Sequence, residues 1–530
     1  MTHADRPDTG DETTADVLVI GGGPAGLWAA SAAATAGARV ILVDKGRCGA
    51  AGPTAKGLVS LWNIPHGPER EAAVSRGLAR GGGLGDPEWM DRVLGESAVR
   101  LAALLGLRPG AVAVPQRIVV DGRRYLTALR RHLTAAGVRI ADRHPAIQLL
   151  VDGDAVVCGA TGVELDGRHR RWTVRAGAVV LATGGCAFLS GGAGTEVATG
   201  EGLLMAAEAG GELSGMEFST AYSLVGGDRR WEPRFTTLYD ESGAPLDGDE
   251  FDVRCTALAA LADGRRIYAE LPGGGSVRYG PAAAAPVGTT SVDLPADSES
   301  GSRPDVLGRV PLRPVLQGTV RGSGGVRVIG FDCATTVPGL FAAGDVAGRE
   351  AVTGAIGSVE GPEAGWAICS GWWAGAGAAR FARGRGIPDA ARPVPAAAVV
   401  SRSGIDPRAV IGLVQEHTLP LRRSYWRSAG SLRDSIAELD ALWPVTDLEV
   451  DGGGADRVRG RQAAALLAVA RWSGYSALAR TETRGMHRRT DHPGVLRDWR
   501  RRLLTGGVDE VWVRPEGFGP ACAGSGTAPA

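Results

Sequence analysis

Gly21, Gly23 and Gly26, with Pro24 and Ala25 between the last two, can perform recognition chemistry without any charged side chain. In a G-x-G-x-x-G turn the first glycine makes a tight bend and the second lets the backbone approach a pyrophosphate. The third lets a helix sit close to a strand, and that helix presents free amides and positive potential to the phosphates. Asp44, followed by Lys45, stands where a carboxylate can accept hydrogen bonds from a ribose diol.

Such a turn means little without elements that aim it. Residues 16–20 (DVLVI) are a short β-branched apolar run, the pattern of a buried parallel strand. Residues 27–37 form an alanine-rich helical stretch, and residues 39–44 (RVILVD) a second strand ending in the acid. The glycine clusters at 81–83 and 322–325 lack this strand-then-helix setting, so one nucleotide site is expected and no separate NAD(P)H domain. Two later segments repeat the strand-to-glycine logic: residues 179–185 (VVLATGG) and 339–345 (GLFAAGD).

The bulk numbers narrow the class. A chain of 530 residues exceeds one compact core, so two or three domains are expected. Lys and Arg total 58, as do Asp and Glu, which argues against a general polyanion or nucleic-acid binder. The arginines Arg497, Arg500, Arg501 and Arg502 read as a solvated helix face. The seven cysteines are scattered without a C-x-x-C pair, so neither a metal site nor a chain-borne iron–sulfur cluster is expected. A polar start without an apolar signal core points to a cytoplasmic protein. No apolar run approaches the ~20 residues of a spanning helix. Residues 282–308 and the tail after Gly517 lack periodicity and read as loop and tail.

Together the strands at 16–20, 179–185 and 339–345 resemble those of glutathione-reductase-like flavoproteins. In that class the acid of the Gly-Asp turn hydrogen-bonds the ribityl chain of FAD. The resemblance implies Asp345 as that acid and Ala182, Thr183 and Gly184 beside the cofactor. Residues 477–491 (ALARTETRGMHRRTD) resemble the R-T-E-S-R-G-x-H-x-R-x-D signature of a superfamily, with Thr483 for the usual Ser. That superfamily contains succinate dehydrogenase and fumarate reductase flavoproteins, aspartate oxidase and the adenylylsulfate reductase α subunit. Residues 52–63 are most similar to the adenylylsulfate reductase branch, and residues 354–365 fit it loosely; this implies Thr54, Lys56, Gly57 and Ser358 at the cofactor. Succinate-branch members carry in this loop a histidine bonded covalently to the flavin. Ala51 occupies that place, so non-covalent FAD is expected.

The implied fold is α/β, a Rossmann-like FAD-binding domain of glutathione-reductase type with an inserted α+β capping domain and a C-terminal helical domain. The FAD-binding domain takes residues 15–215 and 318–385, the cap 216–317, the helical domain 386–510, and a disordered tail 511–530.

Against this family the chain has lost residues that clamp two carboxylates and deliver a proton. Its H-P-T motif is replaced after Glu217-Phe218 by Ser219-Thr220-Ala221, and its H-Y-x-M-G-G motif by Val320-Arg321-Gly322-Ser323-Gly324-Gly325. Where the family has G-A-N-R, this chain reads Gly354-Ala355-Ile356-Gly357. The R-G-E-G cap motif is only echoed by residues 228–234, which hold Arg229, Arg230 and Arg234. The candidate catalytic set is Arg321, His487, Arg484 and Arg230, with Arg484, His487 and Arg488 on a signature helix. The expected activity is hydride transfer between flavin N5 and a small non-C4-dicarboxylate substrate, amino-acid-like or a biosynthetic intermediate. Dioxygen or a carrier protein would reoxidise the flavin. One alternative is a subunit similar to adenylylsulfate reductase α that exchanges electrons with an iron–sulfur partner. Another is a scaffold that keeps FAD for folding.

Overall fold

The computed structural model describes residues 12–106, 117–165, 169–226, 237–270, 309–357, 363–395, 406–443 and 454–517. Contacts divide the chain into two compact units, one of residues 1–221 and 316–530 and the other of residues 222–315.

The larger unit is organised by an eight-stranded sheet. At its centre the first strand, Glu12–Ile20, lies parallel between Val40–Val43 and Arg171–Leu181. The strand Arg171–Leu181 serves two partners in succession. Its first half pairs antiparallel with Val157–Val163, and its end pairs parallel with Leu340–Ala342. The turns after Ile20, Leu181 and Ala342 are therefore neighbours at one sheet edge, although the sequence separates them widely. Residues Val17 to Val19 and Ala178 to Leu181 are each 0% exposed, as their unbroken apolar runs require of a sheet covered on both faces.

The helix Pro24–Thr35 has Pro in its first turn and is buried along nine residues. The helix Glu363–Arg385 packs on it closely enough that a Cβ on Gly371 or Gly375 would collide with Ala25 O or Ala29 O. Small residues on both helices permit that approach. In the helical segment, Pro407–Thr418 and Ala429–Leu442 both pack on the long helix Gly454–Ala479.

The smaller unit has a four-stranded sheet in the order Ala221–Gly226, Arg309–Gly318, Tyr268–Glu270, Leu238–Tyr239, with the helix Glu250–Ala262. The irregular stretch expected at 282–308 and the tail after Gly517 lie outside the described residues, but the disordered tail expected from 511 starts too early: Trp512–Pro515 is a strand paired antiparallel with Leu503–Gly506.

Candidate functional site

The fingerprint turn has the geometry its glycines suggest. Gly21 takes φ +110, and a Cβ there would overlap Ala182 O. A Cβ on Gly26 would overlap Gly21 O, so the helix can meet the strand only without a side chain. Gly23 differs: at φ −75 it could carry any residue, and a Cβ there meets no atom within 4 Å. That open approach to the start of the helix, which Pro24 and Ala25 begin, fits a pyrophosphate.

Asp44 closes the turn. Its Oδ2 accepts from Gly22 N at 2.5 Å and its Oδ1 from Gly46 N at 2.7 Å. Burial raises its pKa despite those two amides. Each oxygen keeps a lone pair for a ribose hydroxyl. Lys45 turns elsewhere, its Nζ reaching Glu201 Oε1 at 2.7 Å and Thr199 Oγ1 at 2.5 Å. Burial pushes Glu201 up, but pairing with Lys45 outweighs it and holds the carboxyl below its usual range.

The 182–185 turn begins where Ala182 N donates to Ile20 O at 2.7 Å, which ties Ala182, Thr183 and Gly184 to the fingerprint turn. Asp345 lies in the short 3-10 helix Gly344–Val346, just beyond the strand Leu340–Ala342. Gly344 is held by Ser370, whose Oγ accepts from its N at 3.0 Å, and by Trp366, whose Nε1 donates to its O at 3.0 Å. The loop with Thr54, Lys56 and Gly57 folds as the 3-10 helix Pro53–Lys56, with Thr54 half-buried and Lys56 and Gly57 exposed. A Cβ on Gly122 would overlap Thr54 O, which sets this loop on the helix Gly122–Ala135.

The signature segment is not a helix. The helix Gly454–Ala479 stops at Ala479, Gly485 takes φ +55, and Arg488–Arg489 pairs as a short parallel strand with Trp426–Arg427. The physical reason is hydrogen-bond demand: the carbonyls of Ala477, Leu478 and Arg480, which a continuing helix would keep for itself, accept instead from the buried Arg489 guanidinium at 3.1, 3.3 and 3.1 Å. Arg480, 0% exposed, donates to Glu217 Oε1 at 2.8 Å, Glu482 Oε1 at 3.0 Å, and the carbonyls of Trp499 and Arg501, each at 2.8 Å. Arg484 pairs with Glu482 at 2.6 Å and donates to Leu496 O at 2.8 Å and to Gly82 O. Arg489 grips both oxygens of Asp491, at 2.8 and 2.9 Å. The arginine run near the C-terminus is likewise no helix face: it forms the 3-10 turn Arg497–Trp499, and Arg500 and Arg502 donate to Gly83 O and Leu84 O.

His487 is 0% exposed. Burial, then the charges of Arg427 and Arg480, hold its pKa well below the ordinary imidazole value. Its Nε2 lies 3.1 Å from Arg480 O, so the neutral ring carries its proton there. Nδ1 is a buried acceptor with no partner among the described residues.

The segment that replaces G-A-N-R is packed on three sides. Ala355 N donates to Gly81 O and Met486 N to Ala355 O, both at 3.0 Å. Gly357 takes φ +61, and a Cβ there would overlap Arg321 O and lie 2.7 Å from Met486 Cε. Arg321 is thus in a turn, its carbonyl over Gly357, and not on a strand. Ser358, Arg229, Arg230 and Arg234 lie outside the described residues.

Two features escaped sequence reasoning. The 81–83 glycines are docking ground for Ala355, Arg484 and Arg500, a role that only their distant partners reveal. Arg349 pairs with Asp345 at 2.6 Å, for which an i, i+4 spacing after Gly-Asp was the available signal. Among the described residues no group of three or more His, Cys, Asp and Glu side chains is placed to hold a metal ion, and no helix is long and apolar enough to cross a membrane.

This geometry agrees with the comparisons to known proteins. Residues 16–240 match the family FAD dependent oxidoreductase, and residues 425–512 match Fumarate reductase flavoprotein C-term. The chain is 30% identical to L-aspartate oxidase of Streptomyces coelicolor, over 95% of this chain and 93% of that protein. It is 29% identical to L-aspartate oxidase of Mycobacterium tuberculosis, over 94% and 96% of the two chains. Its fold matches a quinol fumarate reductase chain of E. coli with a TM-score of 0.76 at 20% identity, over 97% and 99% of the two chains. It matches adenylylsulfate reductase of Archaeoglobus fulgidus with a TM-score of 0.70 at 18% identity, over 97% of each. The chain belongs to the FAD-dependent oxidoreductase family that includes L-aspartate oxidase and the fumarate reductase flavoproteins, and FAD is its cofactor.

Proposed function

We propose that this enzyme oxidises an amino-acid-like substrate that is not a C4 dicarboxylate, by hydride transfer to non-covalently held FAD. Bound FAD supplies the hydride-accepting chemistry. The amides after Gly23 hold its pyrophosphate, Asp44 its ribose and Asp345 its ribityl chain, while Thr54, Lys56, Gly57 and the 182–184 turn flank it. Lys45 acts one step back, through Glu201 and Thr199. Arg484 positions the signature segment. His487, kept neutral, offers the acceptor Nδ1 and no mobile proton. Arg321 is the cation proposed to face the substrate.

The observation that carries this reading is Gly357. Its left-handed backbone and the overlap a Cβ would make with Arg321 O leave no place for a clamp arginine. The relatives' name, L-aspartate oxidase, supports amine oxidation; the missing clamp counts against a second carboxylate.

The test is anaerobic bleaching of the flavin by a panel of amino acids, hydroxy acids, succinate, L-aspartate, and sulfite with AMP. A monocarboxylic amino acid is expected to bleach it, and rapid bleaching by L-aspartate or succinate would overturn the proposal. A second reading, electron exchange with an iron–sulfur partner, is favoured by residues 52–63 and loosely by residues 354–365. Bleaching by sulfite and AMP would select it.

A further inference from the structure

Arg349 belongs to none of the motifs that suggested the flavin site, yet it ties the parts of that site together. Its side chain is 1% exposed. Nη1 donates to Asp345 Oδ1 at 2.6 Å, and Nη2 donates to Val320 O at 2.7 Å and Thr319 O at 3.2 Å. Thr319 Oγ1 accepts in turn from Cys186 N at 2.7 Å, the residue just after the 182–185 turn. One guanidinium therefore joins the Gly-Asp turn to the segment that replaces H-Y-x-M-G-G, and through Thr319 to the other flavin turn. Its Nε–H is buried without a partner among the described residues.

A staple between turns needs hydrogen bonds but no charge, and burying a guanidinium is costly unless an anion answers it. Asp345 is that anion. Its side chain is 24% exposed, against 1% for Arg349.

We infer that Arg349 is a positioning residue for the flavin: it orients Asp345 and cancels its charge, so that the reduced cofactor does not face an uncompensated carboxylate. This rests on the reading of Asp345 as the ribityl ligand. Hydride transfer moves two electrons and one proton from the substrate to the neutral oxidised ring, which then carries one negative charge. The substrate is left one hydride poorer, and its amine-derived product releases a proton to water. A bare carboxylate nearby would oppose the negative ring, strongly so where little water screens it, and charge near the flavin is what sets its potential.

Three variants test this, with FAD affinity and midpoint potential as readouts. Arg349→Met is expected to lower the ratio of reduced-form to oxidised-form affinity about a hundredfold, which for a two-electron couple is a potential about 60 mV more negative. Arg349→Met combined with Asp345→Asn restores neutrality and is expected to recover the native potential while FAD binding stays weak. Arg349→Lys keeps the charge and loses the forked donor, so its ratio should stay within about threefold of native while FAD binds less tightly.

An unchanged potential in Arg349→Met, or no recovery in the double variant, overturns the inference. Should the Met variant not fold, a fully shifted potential in the Lys variant overturns it. Asp345→Asn alone with undiminished FAD affinity would instead remove the reading of Asp345 on which the inference stands.

Discussion

Glu350 shows what burial does to a single ionisable group. It is 3% exposed and accepts from Ser214 Oγ at 2.9 Å. Burial raises its pKa to about 7; Arg502 and Ser214 pull it down, Glu217 and Glu516 push it up. A raised carboxyl pKa means the folded chain binds the proton more tightly than the unfolded chain. The resulting stability is complete below the unfolded value near 4.5 and is lost as pH rises through about 7. At about 1.4 kcal/mol per unit, the whole effect is on the order of 3 kcal/mol. Glu350→Gln should therefore gain stability relative to the native chain between pH 5 and pH 8, as read by denaturant melts at both ends. A gap that does not change with pH would show that Glu350 does not titrate there.

Gly23 is the residue-scale probe of the cofactor's place. Because a Cβ there meets nothing within 4 Å at an ordinary φ of −75, Gly23→Ala should leave the melting temperature of the cofactor-free protein within about one degree. If the pyrophosphate approaches this backbone, the same methyl should weaken FAD binding at least about tenfold, or about 1.4 kcal/mol. Titration of the apoprotein with FAD, followed by flavin fluorescence, decides the matter.

At the scale of elements, the signature segment works as a connector. Arg480, Glu482 and Arg484 are 0, 0 and 5% exposed, and the two arginines reach carbonyls or carboxylates in three other stretches of chain: at residue 82, at residue 217, and at residues 496, 499 and 501. Glu482 is the pivot, accepting from Arg480, from Arg484 and from Leu496 N at 2.8 Å. Removing one partner of a buried ion pair leaves an unpaired charge, at a cost of about 3–5 kcal/mol. Glu482→Gln should destabilise the folded chain by that amount in urea titrations. A loss below about 1 kcal/mol would mean the arginines find other partners.

The glycines act at the same scale in a different way. Gly371, Gly375 and Gly26 permit close approach of helix to helix or helix to strand, and a Cβ on any of them would strike a backbone oxygen. Gly81 and Gly354 face each other, so the fingerprint-like 81–83 cluster is a packing surface and not a second phosphate turn.

For the whole molecule, membership of the FAD-dependent oxidoreductase family settles the cofactor and leaves its attachment to be measured. Ala51, half-buried, offers no nucleophile where the succinate branch has its histidine. Acid precipitation of the purified enzyme should leave all the yellow flavin in the supernatant. Flavin retained in the pellet would show a covalent bond at another residue.

The dinucleotide fold was legible in the sequence because its demands are local. A strand's period, a turn's need for glycine and an acid after the second strand are written in consecutive residues, and the turn at Gly21 and Gly26 has the close contacts those residues imply. That a glycine, Gly357, stands where the resemblance implies a clamp arginine was legible too, as a single letter. Tertiary structure alone decided that space for a side chain at Gly357 is closed by Arg321 O, that the signature is a turn and strand, and that His487 is sealed and held toward its neutral form. Arg349 was joined to the Gly-Asp turn and to the 319–320 carbonyls only by the fold. Such facts depend on what lies across a contact. Burial, desolvation and the partner of a buried charge belong to pairs of residues far apart in sequence, and no single segment encodes them.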